Sequence, residues 1–240
     1  MVLMPDTTML ALFTLRRTKD AYGYECDLLE SAYTRYFERL GIRLLTVPND
    51  LDPRPYLDCI EGVGGIILSG GNDVCPRAYG EASLGSSDCS MVRDSVEQTL
   101  LEVALQKKIP VLALCRGMQF VNVYFDGRLV QDISQQLQVE HLPGERHAVT
   151  ITQGQGVDFL GCLELEVNSF HNQAVTTSTL ADGLVGFAQA SGTEIIEGLY
   201  HPGYPLAGVQ FHPERDSKPN PTIDRLIAAF KGRELFWEVD

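Results

Sequence analysis

The sequence predicts an α/β protein: a doubly wound, mostly parallel sheet with antiparallel strands added in the C-terminal half. Three observations carry this. Short apolar runs alternate with segments of helical periodicity from Met9 to Phe125, the pattern of βαβ units with a parallel sheet. From His147 to Phe211 the apolar runs are instead separated by short turns, as antiparallel strands are. The composition, 44% hydrophobic and 21% charged over 240 residues, is that of an ordinary globular domain, and one domain spanning 1–240 is the simplest organisation.

Met9 to Leu15 reads as a buried strand. Tyr24 to Leu40 reads as a helix, with Leu28, Leu29, Ala32, Tyr36, Phe37 and Leu40 at helical spacing and Gly41 as its stop. Ile42 to Val47 is the next strand, closed by Pro48, and Pro53 to Ile60 a short helix with proline near its first turn. Gly65 to Leu68 is a short strand that runs into Ser69-Gly70-Gly71, and Pro76 to Ser90 is a loop. Arg93 to Lys108 is a helix: Val96, Leu100, Leu101, Ala104 and Leu105 line one face, and Lys107 and Lys108 suit its C-terminal end. Pro110 begins a strand that ends at Cys115, and Gly117 to Phe125 is a helix ended by Asp126-Gly127. His147 to Thr152, Leu163 to Val167, Leu184 to Ala190, Glu194 to Tyr200 and Leu206 to Phe211 read as strands, and Pro221 to Lys231 as the last helix.

The formal net charge is −13, from 19 basic and 32 acidic residues. No Lys/Arg cluster could follow a phosphate backbone, so nucleic acid is not expected as a partner. No apolar run is long enough to span a bilayer, and Met1 to Leu15, interrupted by Pro5, Asp6, Thr7 and Thr8, does not read as a secretory leader. The six cysteines are widely spaced with no Cys-x-x-Cys pair, which argues against disulfides and structural zinc and fits a reducing cytoplasm. Neither metal nor organic cofactor is expected. Oligomeric state is not written in the sequence, and a homodimer would be unsurprising.

Chemistry concentrates at Val111-Leu-Ala-Leu-Cys115-Arg-Gly-Met-Gln119. An apolar strand that runs into a cysteine, then Arg-Gly and a helix, places the thiol at the positive end of that helix, where thiolate is favoured. A cysteine nucleophile also needs a base, a group that orients the base, and donors for an oxyanion. His212, between an apolar strand and Pro213, is the candidate base, and Glu214 could accept from its imidazole. Gly70 and Gly71, which also read as a plain tight turn, could turn main-chain N–H groups toward a ligand. The Arg116 amide, at the start of a helix, lacks an intrahelical acceptor. Four histidines compete as base: His141 and His147 read as solvated, His201 lacks a following carboxylate, and His171, in the polar stretch Asn168-Ser169-Phe170-His171, suits substrate contact. Cys75 and Cys89 are the rival thiols.

Together these segments resemble the class I glutamine amidotransferase superfamily, and within it the stand-alone γ-glutamyl hydrolases of the γ-glutamyl-γ-aminobutyrate hydrolase type. The matching pieces are Leu68-Ser-Gly-Gly-Asn-Asp-Val-Cys-Pro76, Ala78-Tyr-Gly-Glu81, Arg93-Asp94 with Glu97, Cys115-Arg-Gly-Met-Gln119, Val167-Asn-Ser-Phe-His171 and Gly208-Val-Gln-Phe-His-Pro-Glu214. They span nearly the whole chain in the family's order. The resemblance implies a flavodoxin-like fold and a triad of Cys115, His212 and Glu214. It implies an oxyanion hole from Gly70, Gly71 and Arg116. It also implies substrate contacts from Asn72, Gln119, Asn168, Ser169, Phe170 and His171.

The implied activity is hydrolysis of a small γ-glutamyl amide through a thioester on Cys115. Ala113 departs from the glycine common two residues before the nucleophile, and Arg116 is typical of the hydrolase branch. The Arg215-Asp216 ending is similar to that of γ-glutamyl-CDP-amidate hydrolases, which makes that conjugate the alternative substrate. A glutaminase subunit that supplies ammonia to a separate synthetase is the alternative function.

Overall fold

The computed structural model describes residues 8–58, 62–139, 143–152, 156 and 160–234. In chain order the first half contains β1 (Met9–Thr14), β2 (Arg16–Lys19), β3 (Glu25–Leu28), α1 (Ser31–Arg39), β4 (Ile42–Val47), α2 (Arg54–Asp58), β5 (Val63–Leu68), α3 (Met91–Lys107), β6 (Val111–Leu114) and α4 (Arg116–Tyr124). The second half contains α5 (Ile133–Leu137), β7 (Arg146–Ile151), β8 (Glu164–Asn168), β9 (Val185–Ala190), β10 (Ile196–His201), β11 (Leu206–Val209) and α6 (Pro221–Gly232).

Among the described residues the main sheet has nine strands, in the order β4-β1-β5-β6-β11-β10-β9-β7-β8. The first five are parallel to one another and the remaining pairings are antiparallel. Numbered among themselves, the parallel strands run 2-1-3-4-5, the flavodoxin-like order. Both faces of this part are covered, so its inner strands β5, β6 and β11 are apolar throughout rather than alternating. In β5, Ile67 packs with α1 and α6 (Phe37, Ile227, Phe230). Ile66 and Leu68 pack with α3 and α4 on the other face (Leu100, Leu101, Met118, Val121). Each such side chain contributes roughly 1.5–3 kcal/mol on burial. No helix of the described residues is long and apolar enough to cross a membrane.

Two expectations change. The segment 24–40 is not one helix: Glu25–Leu28 is a strand, and the helix starts at Ser31. The reason is electrostatic. The β2–β3 hairpin sets Arg17 opposite Asp27 and Lys19 opposite Glu25, with ion pairs of 3.1 Å in both cases, the cross-strand arrangement that stabilises a two-stranded ribbon. Asp20 closes the turn by accepting from the amides of Tyr22 and Tyr24. Leu28 consequently points to solvent, 41% exposed.

The second change concerns β11, which lies antiparallel to β10 but parallel to β6. The sequence cannot show this, since an apolar run of four residues carries no direction. The consequence is functional: the last residue of β11, Val209, pairs with Leu114, so Cys115 and the segment Gln210 to Glu214 leave the sheet side by side. The expected helix over 53–60 begins at Arg54 and is described to Asp58; Cys59 and Ile60 lie outside the described residues, as does His141.

Candidate active site

The site is built at the carboxyl ends of β5, β6 and β11, where open parallel sheets place their ligands. Cys115 sits between β6 and α4 with φ 49° and ψ −106°, a left-handed conformation that costs a non-glycine residue about 1–3 kcal/mol. This is the strained strand-to-helix turn that lifts a nucleophile above a sheet. Small neighbours permit it. A Cβ on Gly117 would lie 2.4 Å from the Leu68 carbonyl oxygen, and one on Gly208 would lie 2.9 Å from Met118 Cγ. Ala113, opposite Gly208, is small enough for the same turn. The Gly117→Ala protein is therefore expected to lose about 1–3 kcal/mol, seen as a melting temperature lower by roughly 2–12 °C. An unchanged melting curve would contradict the close approach of α4 to β5.

His212 and Glu214 join Cys115. His212 Nδ1 donates to Glu214 Oε1 at 2.6 Å, and the imidazole and the Cys115 thiol are electrostatically coupled, each favouring the other's charged form. Both His212 and Cys115 are almost fully buried. Gly70 lies against the imidazole, where a Cβ would come within 2.6 Å of Cε1. Phe170 meets the ring edge-on, centroids 5.7 Å apart, and is itself covered by the Arg215 guanidinium, which pairs with Glu30 at 2.8 Å.

Burial alone would raise the Cys115 thiol. The charge and hydrogen bond of His212, with help from His171 and Arg215, outweigh it and hold the thiol below its ordinary value. Burial likewise opposes charge on His212, but Cys115 and Glu214 outweigh it and hold the imidazole above its ordinary value. The two directions favour thiolate and imidazolium over the neutral pair. The rival thiols behave oppositely. Burial, with Asp94 beside it, pushes Cys75 up, and burial pushes Cys89 up. Iodoacetamide at mildly acidic pH is accordingly expected to modify Cys115 ahead of Cys75 and Cys89, with the rate falling only as pH drops through the depressed Cys115 value. Peptide mapping that finds Cys75 or Cys89 modified first would contradict this.

The residues expected to contact substrate divide. Gly70 gives its amide to the Tyr33 hydroxyl at 3.1 Å, whereas Gly71 sits beside it at φ 124°. Asn72 and Asn168 are occupied by main chain. Asn72 exchanges two hydrogen bonds with the Arg17 peptide, at 2.9 and 2.7 Å. Asn168 exchanges two with the His212 peptide, also 2.9 and 2.7 Å, and its Nδ2 also reaches Asp216. Both therefore position the site rather than offer an amide to a ligand. Gln119 Nε2 donates to the Gln173 carbonyl at 2.7 Å and to Gln210 Oε1 at 3.1 Å. Ser169 is fully buried with its hydroxyl unpartnered among the described residues. His171 directs Nδ1 at the Gln173 carbonyl, 3.0 Å away, and Nε2 at Glu197. His147 is not a solvated loop residue: it lies in β7, its Nε2 3.2 Å from Glu197. His201 stacks between Phe125 and Tyr204, away from these groups.

Several contributors were not legible as site residues. Gln210 donates to the Cys115 sulfur at 3.4 Å; its place two residues before His212 was the available signal. Beneath the turn lies a buried charge network. Arg93, wholly buried, pairs with Glu97 at 2.9 Å and donates to the Ser69 carbonyl at 2.7 Å and the Ser69 hydroxyl at 2.9 Å. Arg116 pairs with Glu97 and Asp94. One carboxylate thus ties the glycine loop to the residue that follows the nucleophile. The i,i+4 spacing of Arg93 and Glu97 on a helix face that also carries Leu100 was the sequence signal. Among the described residues no group of three or more His, Cys, Asp and Glu is placed to hold a metal ion.

Comparison with known proteins shows the family and the fold. The family model described as Peptidase C26 matches residues 9–214, a span that contains Cys115, His212 and Glu214. The glutamine amidotransferase-like protein YvdE of Lactococcus lactis is 36% identical over 200 residues, 76% of this chain and 81% of that protein. Gamma-glutamyl-gamma-aminobutyrate hydrolase PuuD of Escherichia coli is 28% identical over 211 residues, 81% of this chain and 82% of that protein. Among solved structures, the glutaminase domain of Trypanosoma brucei CTPS with bound acivicin superposes with a TM-score of 0.67 over 95% of both chains at 17% identity, which is agreement in fold.

Proposed function

The chain belongs to the peptidase C26 family, a class I glutamine amidotransferase-like family, and on that premise we propose that it is a cysteine-dependent hydrolase that cleaves the γ-glutamyl amide bond of a small conjugate and releases glutamate. What supports this reading is the strained Cys115 at the head of α4, coupled in charge to an imidazole that Glu214 holds at 2.6 Å.

In this mechanism the Cys115 thiolate attacks the δ-carbonyl of the γ-glutamyl group. The tetrahedral oxyanion is received by the amides of Gly71 and Arg116, where loss of one donor typically costs about 2.7–4 kcal/mol of barrier. The His212 imidazolium protonates the departing amine, and a γ-glutamyl thioester remains on Cys115. Neutral His212 then takes a proton from water, which attacks the thioester and frees glutamate. Glu214 keeps the imidazole oriented and supports its charge throughout. Asn168, locked on the His212 peptide, and Phe170, against its edge, fix the base in place.

The favoured substrates are γ-glutamyl conjugates of small amines, by likeness to the gamma-glutamyl-gamma-aminobutyrate hydrolases. The Arg215-Asp216 ending gives little support to a nucleotide conjugate. Arg215 is committed to Glu30 and Phe170, and Asp216 to Arg146 and Asn168. Free glutamate measured after incubation with glutamine, γ-glutamyl-γ-aminobutyrate and γ-glutamyl-CDP-amidate tests the reading. Turnover of the γ-aminobutyrate conjugate well above the other two is the expected result. No glutamate from any γ-glutamyl amide would overturn it. Glutamine turnover that rises on adding a synthetase would mark a glutaminase subunit instead.

A further inference from the structure

A second set of buried ionisable groups converges on Glu197 in β10. Its side chain is wholly buried, and its carboxylate lies 3.2 Å from Nε2 of His147 and 3.6 Å from Nε2 of His171. A lone carboxylate so deep in a protein would cost several kcal/mol or take up a proton. Here burial opposes ionisation, but the two imidazoles outweigh it and hold Glu197 below the usual carboxylate range. The main chain ties this position to the site, since the Gln210 amide donates to the Glu197 carbonyl at 2.9 Å.

His171 links Glu197 to the surroundings of the sulfur: the Gln173 carbonyl that its Nδ1 meets also accepts from Gln119, which donates to Gln210, the donor to Cys115 Sγ. His171 Nδ1 lies 3.0 Å from the Gln173 carbonyl oxygen, which can only accept, so Nδ1 carries a proton. Its Nε2 faces the Glu197 carboxylate, which when ionised can also only accept. A ring with both nitrogens directed at acceptors is an imidazolium. Burial would strip that proton, but Glu197, Cys115 and the Gln173 carbonyl more than offset it.

We propose that Glu197 is a positioning residue that keeps His171 protonated, so that the Cys115 thiolate is supported by two imidazolium rings, those of His212 and His171. His171 then acts through its charge, with Nδ1 held at the Gln173 carbonyl and Nε2 3.6 Å from Glu197. Among the described residues, the ionisable groups that act most on Cys115 include His212, His171 and Arg215, with Tyr33 sensing its charge, and those beside Glu197 include His147 and His171. Neutralising Glu197 thus weakens one cationic neighbour of the thiolate and leaves the direct partner, His212, paired with Glu214.

This inference rests on Cys115 as the nucleophile, and its test separates the two. The rate of Cys115 alkylation by iodoacetamide is followed against pH in the full chain and in its Glu197→Gln variant. The acid limb is expected to move up by about half to one pH unit, a roughly three- to ten-fold slower alkylation at a given pH on that limb. An unmoved limb in the folded variant overturns the role of Glu197 while leaving the nucleophile intact. Absence of alkylation at Cys115 in the unaltered protein overturns both. If Glu197→Gln does not fold, nitrogen-15 NMR of the His171 ring in the unaltered protein decides the matter. Two protonated ring nitrogens at neutral pH support the proposal, and a neutral ring overturns it.

Discussion

The Cys115→Ala protein is expected to fold with a melting temperature close to that of the unaltered chain and to release glutamate from γ-glutamyl amides about 10⁴-fold more slowly or not at all. The size follows from the chemistry. Without sulfur there is no acyl intermediate, and the oxyanion donors are left to assist direct attack by water alone. Cys115→Ser is expected to be similarly inactive. The surroundings that favour a thiolate, a buried imidazolium and a helix N-terminus, cannot ionise a hydroxyl, whose pKa lies far higher. Folding should survive because the turn depends on Gly117 and Gly208 rather than on the sulfur. Continuous glutamate assays with both variants check this. Retained turnover in either would remove Cys115 from the mechanism.

The largest structural effect is expected from Glu97→Gln. Glu97 is wholly buried between Arg93 and Arg116. Burial opposes its ionisation, but the two guanidiniums outweigh it and keep it below the usual carboxylate range. Removing its charge leaves Arg93 and Arg116 facing each other in the interior with only Asp94 to compensate. Breaking a buried pair in this way typically costs about 3–5 kcal/mol, here a drop in melting temperature of roughly 6–20 °C. The sign with pH follows from the depressed folded value. The contribution of Glu97 is present at neutral pH and lost as pH falls through that value. Activity should fall as well, because Arg93 holds Ser69 beside the glycine loop and the Arg116 amide is one of the two proposed oxyanion donors. A Glu97→Gln protein with unchanged melting temperature and unchanged turnover would show that the network neither stabilises the fold nor positions the site.

Much of this was legible in the chain because it is local. Leu114-Cys115-Arg116-Gly117 spells a strand, a turn and a helix within four residues, and His212-Pro213-Glu214 places a base and its acceptor two residues apart. The helical stretch around Leu100 and the proline-led α6 were equally plain. What stayed hidden depends on contacts between distant segments. Asn72 and Asn168 look like ligand contacts in sequence, since a polar residue after a strand reads the same whether its amide meets a substrate or a neighbouring peptide. The fold sends both to main chain. His147 looked solvated because nothing near it in sequence announces Glu197, fifty residues on in β10. The strand Glu25–Leu28 was masked by apolar residues that also satisfy a helical period, and only the cross-strand match of Arg17 with Asp27 and Lys19 with Glu25 decides for the hairpin.

In the proposed mechanism sulfur carries the acyl group while imidazole and carboxylate move and support the proton. The most direct test of this uses a γ-glutamyl anilide, whose good leaving group makes acylation fast and deacylation limiting. Turnover is quenched in acid and followed by intact-mass measurement and peptide mapping. The expected result is a γ-glutamyl thioester on the peptide that carries Cys115, formed in a burst with the anilide. Steady anilide release with no mass added to Cys115, or with the glutamyl group on another residue, would contradict it.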